Sequence, residues 1–122
     1  MLVGKQSWRF VNTPAILHTG VTGGPMEGKG PLKDTFDLLY DDQYAKEATH
    51  EKAHRKMLED AVDIALHKAG LKKDKVDFFL AGDLINQITP TSFAARTNAI
   101  PHLGLFGACA TSMEGLAIAA FI

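Results

Sequence analysis

From about Thr49, apolar residues return every three or four positions: Met57, Leu58, Ala61, Val62, Ala65, Leu66 and Ala69 form one stripe. That period predicts an amphipathic helix, and Gly70 supplies its C-terminal stop. Upstream, PAILHTGV is a short β-prone run opening into the Gly-rich GVTGGPMEGKGP, a strand followed by a loop. LKDTFDLLYDDQYAKEAT sets aromatic and apolar residues among acids and reads as a surface excursion with a short helix. Downstream, KVDFFLAGDL carries a continuous apolar core, Phe78 to Ala81, the pattern of a parallel strand buried on both faces. TPTSFAARTNAIP offers Thr91 or Ser92 as the cap of a brief helix that Pro101 ends. A last strand, HLGLFG, leads into Cys109 and a final helix.

The order strand, helix, strand, helix, strand, helix predicts an α/β fold with a mainly parallel sheet and right-handed crossovers. The final helix is unusual. Leu116, Ala117, Ile118, Ala119, Ala120, Phe121 and Ile122 leave it no polar face, and a helix apolar all round belongs inside a protein. Residues 1–122 therefore read as one domain, incomplete at its C-terminal end, whose central helix needs a second layer over it. The isolated chain is expected to expose apolar surface and to associate with itself.

Composition narrows the function classes. Thirteen Lys+Arg against 14 Asp+Glu give a net charge of -1, without the basic excess that binding a phosphate backbone requires, so no nucleic-acid partner is expected. The single cysteine excludes an internal disulfide. The N-terminus, broken by Lys5, Gln6, Ser7 and Arg9, does not read as a secretory signal. GLAIAAFI falls far short of the roughly 20 apolar residues a spanning helix needs.

Three motifs invite chemistry and are set aside on their surroundings. HEKAH, His50 to His54, has the spacing of a zinc-binding helix with Glu51 as base, but Lys52 and Arg55 bring positive charge and no third ligand follows. No metal site is expected there. GGPMEGKGP has Gly23, Gly28 and Lys29 at P-loop spacing, yet Gly30 replaces the magnesium-binding hydroxyl and Pro25 and Pro31 remove backbone donors. DLLYDD gathers Asp37, Asp41 and Asp42 without the spacing or glycine of a calcium loop. GACATS differs, because a strand runs through the small turn Gly107-Ala108 into a helix starting near Cys109. That start would set the sulfur and several backbone N–H groups at a positive helix end, favouring a thiolate and a bound anion alike.

GACATSMEGLAIAA, following FFLAGDLINQITPTSFAAR, resembles the nucleophile-helix region of the thiolase fold, as in thiolases and β-ketoacyl synthases, where a cysteine heads a buried helix. Closer still is the resemblance to the stage V sporulation protein AD family of spore-forming bacteria. It runs from SWRFVNTPAILHTGVTGGPMEGKGPLKDTFDLLYDD to the end of the chain, and GPMEGKGPL, FDLLYDD and GACATSMEGLA carry it together. The resemblance implies the N-terminal half of a thiolase-like layered fold with a buried nucleophile-type helix. It also implies a non-catalytic protein that binds dipicolinic acid and serves its uptake into the developing spore. The implied setting is peripheral, at the cytoplasmic face of the spore inner membrane, with the other proteins of a membrane channel complex as partners and a homodimer where the full fold is present.

A flat dicarboxylate would meet N–H and hydroxyl donors at Cys109, Ala110, Thr111 and Ser112. Asp83, Asn86 and Gln87 are expected just beyond the C-terminal end of a parallel strand, where α/β sheets place ligands. Asp83 would repel a bare carboxylate, so its expected part is to orient a neighbour or to meet calcium carried with dipicolinate; no other cofactor is implied. In the catalytic members of the fold, histidine or asparagine residues from the second half assist the cysteine, and that half is absent here. Two alternatives stay open: an acyltransferase using Cys109, and an interaction scaffold with a vestigial pocket.

Overall fold

The computed structural model describes residues 1–122. The chain begins with an antiparallel hairpin, β1 (Leu2–Val3) and β2 (Ser7–Trp8), pairing Leu2 with Trp8. Thr22–Gly23 (β3) and Leu38–Leu39 (β4) then pair in parallel, joined by one-turn 3-10 helices at Glu27–Lys29 and Lys33–Thr35. The expected strand in PAILHTGV is not formed: residues 14–20 make no ladder, because a strand needs a neighbour for its backbone groups and β4 pairs only from Thr22 onward. The expected excursion with a short helix is in part that β4 strand, with only a 3-10 turn for its helix.

The long helix α1 spans His50–Ala69. Thr49 caps it by accepting the Lys52 N–H, and Gly70, at φ 64°, closes it in the left-handed conformation that glycine adopts without a Cβ penalty. Phe79–Ala81 (β5) and His102–Gly104 (β6) are parallel, with α2 (Thr89–Asn98) as the crossover between them. α1 packs on α2 and β3, and α2 packs on β6. The buried residues gather around this interface: Ala53 of α1, Thr91, Ala94, Ala95 and Asn98 of α2, then Ile100 and Leu105.

Two expectations change at the parallel pair. The apolar run is not buried on both faces: within β5 only Ala81 is buried, Phe79 and Leu80 are half-buried, and Phe78, just before the strand, is 50% exposed. α2 begins at Thr89, earlier than a cap at Thr91 or Ser92 would allow, and its capping carboxylate comes from outside the helix, from Asp83.

α3 spans Thr111–Ala119, preceded by a 3-10 turn over Ala108–Ala110. It packs on β5 but buries none of its residues, and Leu116, Phe121 and Ile122 stand open. Trp8 packs edge-on against Phe121 just past the end of α3, but none of the helix's residues is buried, so the expected buried helix is here a helix on an open face. Only 12 of 122 residues are buried, most of them near the contact of α1 with α2. The architecture is mixed α/β, a partial layered arrangement of helices on short parallel strand pairs.

Candidate functional site

β5 delivers Gly82 and Asp83 at its C-terminal end, and the chain leaving β6 delivers Gly107 to Ser112 beside them. Gly82 is what lets the two meet. A Cβ there would overlap the Leu105 carbonyl oxygen and stand 3.0 Å from the Thr111 Cγ2, so only a hydrogen fits between the strand end and the crossing backbone. Behind the junction opens a cleft of about 860 Å³, lined among others by Asp83, Cys109, Thr111, Ser112, His18 and His54. That size falls within the roughly 300–1,000 Å³ of small-ligand clefts.

The structure thus brings Asp83, Cys109, Thr111 and Ser112 to one cleft, and leaves Ala110, Asn86 and Gln87 off its walls. Asp83 is committed to structure. Its Oδ1 accepts the Ile85 N–H at 2.8 Å, and its Oδ2 accepts both the Thr91 N–H at 2.9 Å and the Thr91 hydroxyl at 2.5 Å. Burial pushes its carboxyl up, but the hydrogen bonds from Thr91 and Ile85, aided by the nearby His54, outweigh this and hold it below the usual carboxylate range. Both oxygens are engaged by hydrogen bonds within the chain, and the carboxylate fixes the start of α2.

Between Asp83 and α2, Asn86, Gln87 and Ile88 take φ values of 47°, 53° and 60°. Three consecutive left-handed residues with side chains cost about 1–2 kcal/mol each, and a β-branched residue such as Ile88 is especially uncommon there. The turn is held at both ends. Asp83 anchors the far side, the Thr89 hydroxyl donates to the Asn86 carbonyl at 2.6 Å, and the Ser92 N–H donates to the Ile88 carbonyl at 2.9 Å. Ile88 itself is buried. Asn86 and Gln87 are exposed on this turn.

Cys109 lies in the 3-10 turn, exposed, two residues before α3 begins. The helix start expected near Cys109 is displaced to Thr111 because Ala108 adopts φ 47° and breaks the helical path. Two backbone donors expected to face a ligand are spent: the Ala110 N–H donates to the Gly107 carbonyl at 2.8 Å, and the Thr111 N–H to Ala108. The Thr111 hydroxyl is buried without a partner, while Ser112 is exposed. Glu114, unremarked in the sequence, turns a buried and unpartnered Oε2 against Gly107.

His54, set aside above with the HEKAH motif, and His18, which no motif marks, also line the cleft. A signal for His54 existed: it precedes Leu58, Ala61 and Ala65 at helical spacing, on the inner stripe of α1. His18 follows no periodic pattern. The other motifs resolve locally. In the P-loop-like segment Gly28, Lys29 and Gly30 donate their N–H groups to Gly24, Met26 and Glu27, leaving none of these three to cradle a phosphate. In DLLYDD, Asp37 accepts the Val21 N–H and pairs with Lys68 at 2.5 Å, contacts that hold its carboxyl below the usual range, the Lys68 bond first among them.

The family model described as stage V sporulation protein AD matches residues 4–122 of this chain. A curated protein similar to it is the stage V sporulation protein AD of Bacillus subtilis (strain 168), 45% identical over 118 residues. That alignment covers 97% of this chain and 35% of the relative, so the chain spans about a third of the length of the relative it matches.

Proposed function

The chain belongs to the stage V sporulation protein AD family, a family of sporulation proteins, and from that membership we propose that it contributes the first part of a non-catalytic site for dipicolinic acid. The observation that carries this reading is the shared cleft, in which a strand end, a helix start and the Ser112 hydroxyl converge on a volume suited to a small planar anion. The N-terminal end of α3 supplies favourable electrostatics for a carboxylate, and Ser112 supplies a neutral donor.

On this reading the 122 residues form part of a thiolase-like layered fold whose remainder covers α3. Dipicolinate uptake, a peripheral place at the inner membrane of the spore, partnership with channel proteins there and a homodimer of the full fold follow from the same proposal. No helix of the chain is long and apolar enough to cross a membrane.

A second reading, acyl transfer through Cys109, has one observation in its favour: the exposed sulfur shares its cleft with His18 and His54. Titration calorimetry with dipicolinate, with and without calcium, run beside thioester labelling of Cys109 with an acyl-CoA, separates the two. Saturable heat without labelling is the expected result. Labelling without dipicolinate binding would replace the first reading by the second, and neither signal would leave an interaction scaffold.

A further inference from the structure

A second cavity, of about 460 Å³, lies on the other side of His54 from the cleft, and His50, His54, Gln43 and Ile85 are among its walls. We propose that His50 and His54 form a two-imidazole site for a first-row divalent cation of the zinc or nickel class. The proposal stands apart from dipicolinate binding.

Residues four apart on a helix hold their Cβ atoms about 5–6 Å apart on one face, and both rings open on the same cavity. The feature that counts against a metal in the sequence, the positive charge of Lys52 and Arg55, is removed by the fold. Those two side chains, with Glu51, line a different cavity alongside Thr49, Thr89 and Phe93. The Tyr44 ring stacks on His50 with centroids 4.4 Å apart and planes at 22°, which restricts the imidazole and lowers the entropy lost on coordination. Side-chain hydrogen bonds at this end of α1 run from Lys52 to Thr49 and from Lys56 to Asp60, none to either ring. The Asp83 carboxylate shares the neighbouring cleft with His54 and adds a negative field.

Imidazole suits zinc and nickel, while calcium and magnesium call for oxygen ligands. No group of three or more His, Cys, Asp or Glu side chains gathers in the chain, so the closed four-ligand arrangement of structural zinc is excluded. Two positions come from the helix, and the others are left to water, to the Gln43 amide oxygen or to a carboxylate entering the cavity. With Glu51 on the other face, the hydrolase chemistry associated with this spacing has no base.

The test is calorimetric titration of the purified chain with nickel or zinc chloride at neutral pH. One equivalent is expected to bind, with affinity reduced at least tenfold in His54→Ala and in His50→Ala and abolished in the double variant. Glu51→Gln and Lys52→Ala should leave affinity unchanged. His50 is exposed, so its substitution tests the site even where His54→Ala disturbs packing. Cobalt provides a second readout, with a visible spectrum free of thiolate charge transfer. Absence of binding, full binding by the double variant, equal loss in Glu51→Gln, or a thiolate band assigning the metal to Cys109 would each overturn the proposal.

Discussion

Replacing Asp83 by alanine removes the acceptor that starts α2. Three hydrogen bonds end on this carboxylate, and Thr91, which makes two of them, is 0% exposed. Removing a helix N-cap costs about 0.5–2 kcal/mol, and leaving buried donors without a partner costs a further ~1–3 kcal/mol. Because the bonds act as one unit on one helix end, their costs overlap, and the net loss is set at about 3 kcal/mol. For a small protein with a urea slope near 2 kcal/mol/M, this lowers the unfolding midpoint by about 1.5 M. Asp83→Asn, which keeps an acceptor but loses the charge, should lose about half as much. The carboxyl is held low in the folded state, so its contribution is present above the unfolded carboxylate value of about 3.9 and disappears as pH falls through the lower folded value. Asp83→Ala should therefore flatten the acid side of the stability profile. Denaturation by urea, followed by circular dichroism from neutral pH to acid, measures both effects. A midpoint equivalent to within 0.5 kcal/mol of the parent, or an acid limb of unchanged slope, would refute Asp83 as the anchor of this helix and return it to the list of ligand residues.

Gly82→Ala should be more damaging than an ordinary glycine substitution, because its Cβ would meet the Leu105 carbonyl; loss of soluble protein, or a loss above about 3 kcal/mol by urea denaturation, is expected, and a soluble variant of parental stability would contradict the close approach. Sedimentation velocity on the purified chain should show dimers or larger species, since Phe78, Phe106, Leu116, Phe121 and Ile122 are all open to solvent; a single monomeric boundary would count against association through these apolar side chains. In the dipicolinate titration, Ser112→Ala should cost about 1 kcal/mol and Cys109→Ala less, because a hydroxyl donates better than a thiol. Gly107→Val should cost more than either, since a side chain there collides with Glu114, and equal affinities for all three variants would place the ligand elsewhere.

The helix α1 was legible because its signals are local: a cap at Thr49, a stripe at helical spacing and Gly70 at the end, each satisfied within the segment itself. Parallel pairing of β5 with β6 was legible from the apolar run of Phe78 to Ala81 and the helix that follows it. What escaped depends on residues far apart in sequence. PAILHTGV has the composition of a strand, yet pairing needs a neighbour, and β4 reaches only Thr22 and Gly23. The start of α2 was misread because its capping carboxylate belongs to Asp83, eight residues before the Thr91 N–H that it accepts. The left-handed run from Asn86 to Ile88 carries no glycine to announce it, and only the first residue is of a type that tolerates such φ values readily.

These misses converge on one mechanical unit. Asp83 holds Ile85 and Thr91, those contacts close a left-handed turn of three residues, and Gly82, immediately before, permits the crossing that brings Thr111 against the strand end. Strain of this kind persists only where the surroundings over-determine it and is concentrated at functional sites. The cleft beside Cys109 therefore inherits its shape from a rigid strand end more than from the cysteine turn, whose Ala108 breaks the helix and whose donors are partly spent within the turn itself. A loosened Asp83 anchor would blur the cleft without touching any atom of a ligand. Reduced dipicolinate affinity in Asp83→Asn, at a temperature where the variant remains folded, is thus the signature of a positioning residue, whereas a change confined to the calcium-containing titration would mark direct contact with the ion.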